Sequence, residues 1–107
     1  MNISELDKLV LRVEQWHEDR NLIDGSDDKS QVMKLMQELG ELSDSVCKGE
    51  CIKDDIGDML VVMLNICKRN EITLFECLDV AYGDIRDRKG RMIDGVFVKE
   101  DDLDGGA

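Results

Sequence analysis

Proline is absent from this 107-residue sequence, histidine and tryptophan occur once each, and the aromatic residues are Trp16, Phe75, Tyr82 and Phe97. Without proline nothing in the chain forbids long helices. With one histidine, His17, and no paired Cys/His at short spacing, a structural zinc site is not expected, and the Glu-x-x-His pairs of a di-iron bundle are excluded. Cys47, Cys51, Cys67 and Cys77 form no C-x-x-C pair, so they read as reduced thiols and not as a disulfide framework. Basic residues are scarce, 14 against 25 acidic ones, for a net charge of −11. That balance excludes a nucleic-acid partner, whose phosphate counterions must be displaced by Lys and Arg. It leaves open a single nucleotide carried with a metal. No run approaches the roughly 20 apolar residues of a membrane span. Met1–Glu5 has no basic region followed by an apolar one, so no signal peptide is expected and the cytoplasm is the expected location.

What is present is helical periodicity. Leu6, Leu9, Val10, Val13, Trp16 and His17 recur at helical spacing and predict a helix over about 4–20. Residues 21–28 read as a polar loop, with Asp27 or Asp28 capping the next helix. Val32, Leu35, Met36, Leu39, Leu42 and Val46 form a second stripe that ends near Gly49. Ile56, Met59, Leu60, Met63, Leu64 and Cys67 make a third helix, apolar nearly all round, as expected for one in the middle of a bundle or between subunits. Thr73 to Glu76 reads as a capping box opening a fourth helix through Leu78, Ala81 and Ile85. Val96-Phe97-Val98 reads as a short strand or extended arm, and Asp101–Ala107 as a frayed acidic tail. The expected fold is all-α. It is a four-helix bundle in a single domain, 1–107, with its helical core at about 4–89 and a short extended C-terminal segment at 90–107.

Two carboxylate pairs stand out. Glu38 and Glu41 on the second helix, and Asp55 and Asp58 on the third, are each spaced i, i+3, which puts both members on one face. Residues 42–54 suffice to finish one helix, turn at Gly49 and start the next, so an antiparallel hairpin can gather all four. Two carboxylates about 5 Å apart repel by roughly 3 kcal/mol at an effective dielectric of 20, so they protonate, splay apart or bind a cation. An all-oxygen set suits Mg²⁺, or Mn²⁺. The plainer reading is a solvated acidic face. Gly40 and Gly57 sit inside the two pairs at about 1 kcal/mol each relative to alanine, which points to close helix approach or a ligand. A calcium loop starting at Asp24 fails, because its sixth position is Lys29 and its twelfth is Leu35.

These pairs, together with Trp16-His17, Arg20-Asn21-Leu22, Gln31, Lys34 and Leu35 ahead of Glu38, and the basic segment Asp84–Gly90, resemble the signature of the MazG-type nucleotide pyrophosphohydrolases of the all-α NTP pyrophosphatase superfamily. The resemblance covers about residues 4–98, and Gly95–Glu100 looks like the tail of short phage-encoded members. It implies Mg²⁺-dependent hydrolysis of a nucleoside triphosphate between its α and β phosphates, giving the monophosphate and pyrophosphate. It implies Glu38, Glu41, Asp55 and Asp58 as metal ligands, with Glu38 or Glu41 also acting on the attacking water. Arg86, Arg88 and Lys89 become phosphate contacts, or else ordinary C-terminal helix cations. Lys34 either contacts phosphate or pairs with Glu38. Trp16, His17, Asn21 and Asn65 become substrate contacts, although Trp16 and His17 on an apolar stripe also read as core, and Asn65 as satisfying a backbone group.

The chain departs from the pattern in two places. Asp55 stands where the family has Glu, one methylene shorter, with Asp54 one turn from Asp58 as a substitute ligand. Gly83 lies where an asparagine precedes the basic segment. Small members assemble as homodimers or homotetramers. A chain of this size buries only about two-thirds of its unfolded surface alone, which points the same way. The competing reading is a non-catalytic acidic helical interaction module, a degenerate relative; a metal-buffering bundle ranks below it.

Overall fold

The computed structural model describes the backbone of residues 3–105 and the side chains of 5–103. Met1 and Asn2, and the last two residues of the acidic tail, Gly106 and Ala107, lie outside the described residues. The chain is mostly helical with one small two-stranded sheet, and it divides into two compact units, Met1–Leu74 and Phe75–Ala107.

The first unit holds α1 (Ile3–Asp19), α2 (Asp28–Lys48) and α3 (Lys53–Arg69). Asp27 caps α2, its carboxylate accepting the Ser30 N–H at 2.7 Å, which satisfies a backbone donor the helix cannot. Gly49 ends α2 in the left-handed conformation, φ 68°, with its N–H returning to Ser45 and Val46. α3 packs against both α2 and α1, as its near-uniform apolarity requires. Among the described residues the buried apolar side chains, Val62, Leu64 and Cys67, all belong to α3. Lys68 of α3 faces Glu14 of α1 at 3.5 Å.

Gly25 has a steric reason to be glycine. It sits over Asn21, whose φ is 56°, and a Cβ there would collide with the Asn21 carbonyl oxygen and side chain. Gly40 and Gly57 have no such reason: a Cβ at either would meet nothing within 4 Å. Close helix approach within the chain therefore does not account for them.

The second unit carries α4 (Leu74–Ile85), which begins one residue earlier, then β1 (Gly90–Ile93), β2 (Val96–Lys99) and α5 (Glu100–Gly105). The strands pair antiparallel, Gly90 opposite Lys99 and Ile93 opposite Val96. The short strand expected at Val96–Val98 is β2, and β1 is the partner that was not expected. Asp94 (φ 51°) and Gly95 (φ 81°) form a two-residue turn with both φ positive, the geometry that joins antiparallel strands without splaying them. Residues 101–105 of the expected frayed tail instead form, with Glu100, a short helix touching both strands. Glu100, Asp101 and Asp102 occupy its first turn, where the helix dipole favours negative charge. Among the described residues none of α4 is buried.

Candidate metal centre

α2 and α3 bring Glu38, Glu41 and Asp58 together, with one carboxylate oxygen of each within 4.8 Å of the others. Glu38 is buried, Asp58 half-buried and Glu41 exposed. Asp55 is not part of this trio, although its charge, like that of Asp54, acts on Asp58.

Lys34, one turn before Glu38, places its ammonium 3.2 Å from Glu38 Oε1. The other oxygen, Oε2, is buried and has no hydrogen-bond partner among the described residues. A buried acceptor of this kind is destabilising unless a donor or cation completes it. The surrounding carboxyls respond accordingly. A hydrogen bond with Glu38, available when Glu41 carries a proton, raises the Glu41 carboxyl above the usual range; the charge of Glu38 adds to this and Lys34 opposes it. Desolvation, followed by the charges of Asp54, Glu38 and Asp55, raises Asp58, again against Lys34. Three oxygen donors, one of them buried without a partner, fit a hard divalent cation such as Mg²⁺.

His17 and Asn65 lie away from solvent and their polar groups face each other and the backbone. His17 Nε2 lies 2.9 Å from the Val61 carbonyl, and Asn65 Nδ2 donates to Leu22 O at 2.9 Å and lies 3.3 Å from His17 Nδ1. Asn65 is fully buried, and its Oδ1 has no partner among the described residues. Asn21 is exposed at the start of the loop. Trp16 is exposed on α1, with the Arg20 guanidinium 4.4 Å from its ring centroid. Arg69, not among the residues expected from the sequence, ties the end of α3 to this loop. It donates to the Ile23 carbonyl and to Asp28 Oδ1, the latter at 3.0 Å, while Asn70 donates to Asp28 Oδ2 at 3.1 Å. The available signal was a cation in the last turn of one helix and an acid in the first turn of another, both favoured by helix dipoles.

Arg86, Arg88 and Lys89 belong to the second unit. Arg86 pairs with Asp87 at 3.2 Å. Arg88 and Lys89 line a charged groove of about 490 Å³ with Lys99, Asp84, Asp87, Glu100 and Asp101.

No protein-family profile matches the chain, and no solved structure matches it. The chain is 46% identical over 72 residues to the "uncharacterized 18.2 kDa protein in rep-hol intergenic region" of Haemophilus phage HP1 (strain HP1c1). The shared stretch covers 65% of this chain and 44% of the phage protein, so the chain spans less than half of that relative's length. No described helix is long and apolar enough to cross a membrane.

Proposed function

We propose that this chain is a Mg²⁺-dependent nucleoside triphosphate pyrophosphohydrolase of the MazG type, phage-encoded and at work in the host cytoplasm, with Mn²⁺ as an alternative ion. The observation that carries this reading is the buried, unpartnered carboxylate oxygen of Glu38 beside Glu41 and Asp58. When bound, the ion offsets phosphate charge and makes water a better nucleophile. Glu38 and Asp58 are the holding ligands, from facing helices. Glu41 is exposed and its raised carboxyl accepts a proton nearer neutral pH than an ordinary carboxylate does, which suits a general base. Lys34 holds Glu38 Oε1 and is half-exposed, so its ammonium is within reach of a phosphate oxygen entering at the trio. Arg88 and Lys89 are the remaining candidates for phosphate contact, with Arg86 beside them. The four-helix core of the family would be completed in a homodimer or homotetramer.

A second reading is favoured by one specific observation: Asp55 stands outside the carboxylate trio. A chain with a reduced ligand set could keep the fold as an interaction module without turnover.

One assay separates them. The protein is incubated with a panel of NTPs and dNTPs and with Mg²⁺ or Mn²⁺, and products are resolved chromatographically. Monophosphate with pyrophosphate is the expected outcome. Orthophosphate would refute the bond assigned. No turnover at high protein concentration would favour the interaction module.

A further inference from the structure

Among the described residues, the apolar face of α4 is exposed. Phe75, Leu78, Tyr82 and Ile85 recur at i, i+3, i+7 and i+10, which aligns them in one stripe, and they are between 50 and 77% exposed. On the first unit a groove of about 310 Å³ is lined by Leu9, Arg12, Val13 and Trp16 of α1 and Val61 of α3. It is apolar apart from Arg12. We propose that these two surfaces are partners in trans: α4 of one copy lies in the α1/α3 groove of a second copy, and the exchange is reciprocal. The proposal rests on the assembly part of the functional reading and not on its catalysis, since no carboxylate of the trio takes part.

Two features select a second copy as the occupant. The first is area. An aromatic side chain buries about 150–250 Å² when covered, so the two rings of the stripe leave on the order of 250 Å² in water. With Leu78 and Ile85 the stripe reaches roughly 500 Å², at the upper end of what a monomer exposes in one patch. Two stripes meeting two grooves cover on the order of 1,500 Å², the size of a standard stable interface, and a two-fold exchange obtains it from a single surface pair. The second feature is charge. α4 carries Glu76, Asp79 and Asp84 and no basic residue. Asp79 flanks Phe75 (i−4) and Tyr82 (i+3) on the helix, and the groove presents Arg12, with Arg20 beside Trp16. Acid on the helix and guanidinium in the groove fix orientation and register.

Trp16 is the sole tryptophan and lies in the groove, so its fluorescence reports occupancy directly. Sedimentation is followed with Trp16 emission over a dilution series of the full chain. The expected result is a dimer whose dissociation on dilution coincides with a red shift of the emission. Leu78→Asp on α4 and Leu9→Asp in the groove are each expected to give a helical monomer with red-shifted emission. If either variant fails to fold, the charge pair decides instead. Arg12→Glu and Asp79→Arg each weaken association at least about tenfold, and together they restore it. A monomer at all concentrations overturns the proposal, as does a dimer unchanged by these substitutions. Quenching of Trp16 by nucleotide with no change in mass would give the groove to a base and also overturn it. Loss of the hydrolytic reading alone would leave mass and emission as expected here.

Discussion

Asn65 and His17 meet across 3.3 Å although 48 positions separate them along the chain. The Val61 carbonyl can only accept, so His17 carries its proton on Nε2 and presents Nδ1 as the acceptor for the Asn65 amide. The same amide donates to Leu22 O, so one side chain joins the end of α1, the following loop and α3.

Replacing Asn65 with leucine removes both donors and leaves Leu22 O and His17 Nδ1 unpaired. The expected loss is about 1–3 kcal/mol, read from urea unfolding midpoints. Asn65→Asp is expected to be worse, since it sets a buried carboxylate against a carbonyl. An aspartate variant as stable as the parent would show that the network does not hold the loop.

Magnesium is expected to raise the melting temperature, because it binds the folded cluster and not the unfolded chain. At a hundredfold excess over Kd the gain is about 2.7 kcal/mol. Glu38→Gln and Asp58→Asn should lose most of that shift. Asp55→Asn should keep most of it, since Asp55 lies outside the trio. Equal losses at all three positions would restore the four-ligand set expected from spacing.

The pH dependence of the metal-free protein follows from the same cluster. Folding raises Glu41 and Asp58 above their ordinary values of 4.5 and 3.8, so the folded state holds more protons in the window above those values. Stability contributed by these two groups therefore falls as pH climbs through that window. In EDTA, the parent should lose stability relative to Glu41→Gln as the pH rises above the ordinary carboxylate value. Mg²⁺ loading should release protons, measurable as a buffer-dependent heat in calorimetry. Asp27 runs the other way: its carboxyl is lowered by the Ser30 backbone hydrogen bond, so its contribution is lost as pH falls through the lowered value.

Two glycines should respond oppositely to alanine. Gly25→Ala meets the Asn21 carbonyl and should cost more than about 1 kcal/mol. Gly40→Ala meets nothing and should stabilise α2 by about 1 kcal/mol, as helix propensity dictates. Stabilisation accompanied by a fall in turnover would assign Gly40 to ligand access.

The helices were legible because burial imposes period 3.6 on apolar residues, and α1 to α4 begin and end within a few positions of where their stripes and caps lie. The central place of α3 was legible from its lack of a polar face. The carboxylate pairs were legible from i, i+3 spacing, but which oxygens converge depends on how α2 and α3 cross, and no spacing rule encodes that. Spacing alone therefore groups Asp55 with Asp58, whereas the trio leaves it out. The hairpin carries a local signal, Ile93-Asp94-Gly95-Val96, but its strands are only four residues long and show no sustained alternation to mark them. That Asn65 satisfies a backbone group was one of its two readings; that the group is Leu22 O, with His17 Nδ1 beside it, was not legible, since only the tertiary fold brings them close.

Arg69 sets a timetable for the nascent chain. Its bonds to Asp28 and Ile23 span 41 and 46 positions, and the Asn65 and His17 links to Leu22 and Val61 span 43 and 44. At translation speeds of about 5–20 residues per second, α1 and its loop wait roughly 2–10 seconds for the groups that fix them. During that interval the α1–α2 segment has its apolar stripes but neither α3 to pack against nor its polar anchors. A pause or truncation before residue 69 would strand it in that state, so the end of α3 marks the earliest point at which the first unit can close.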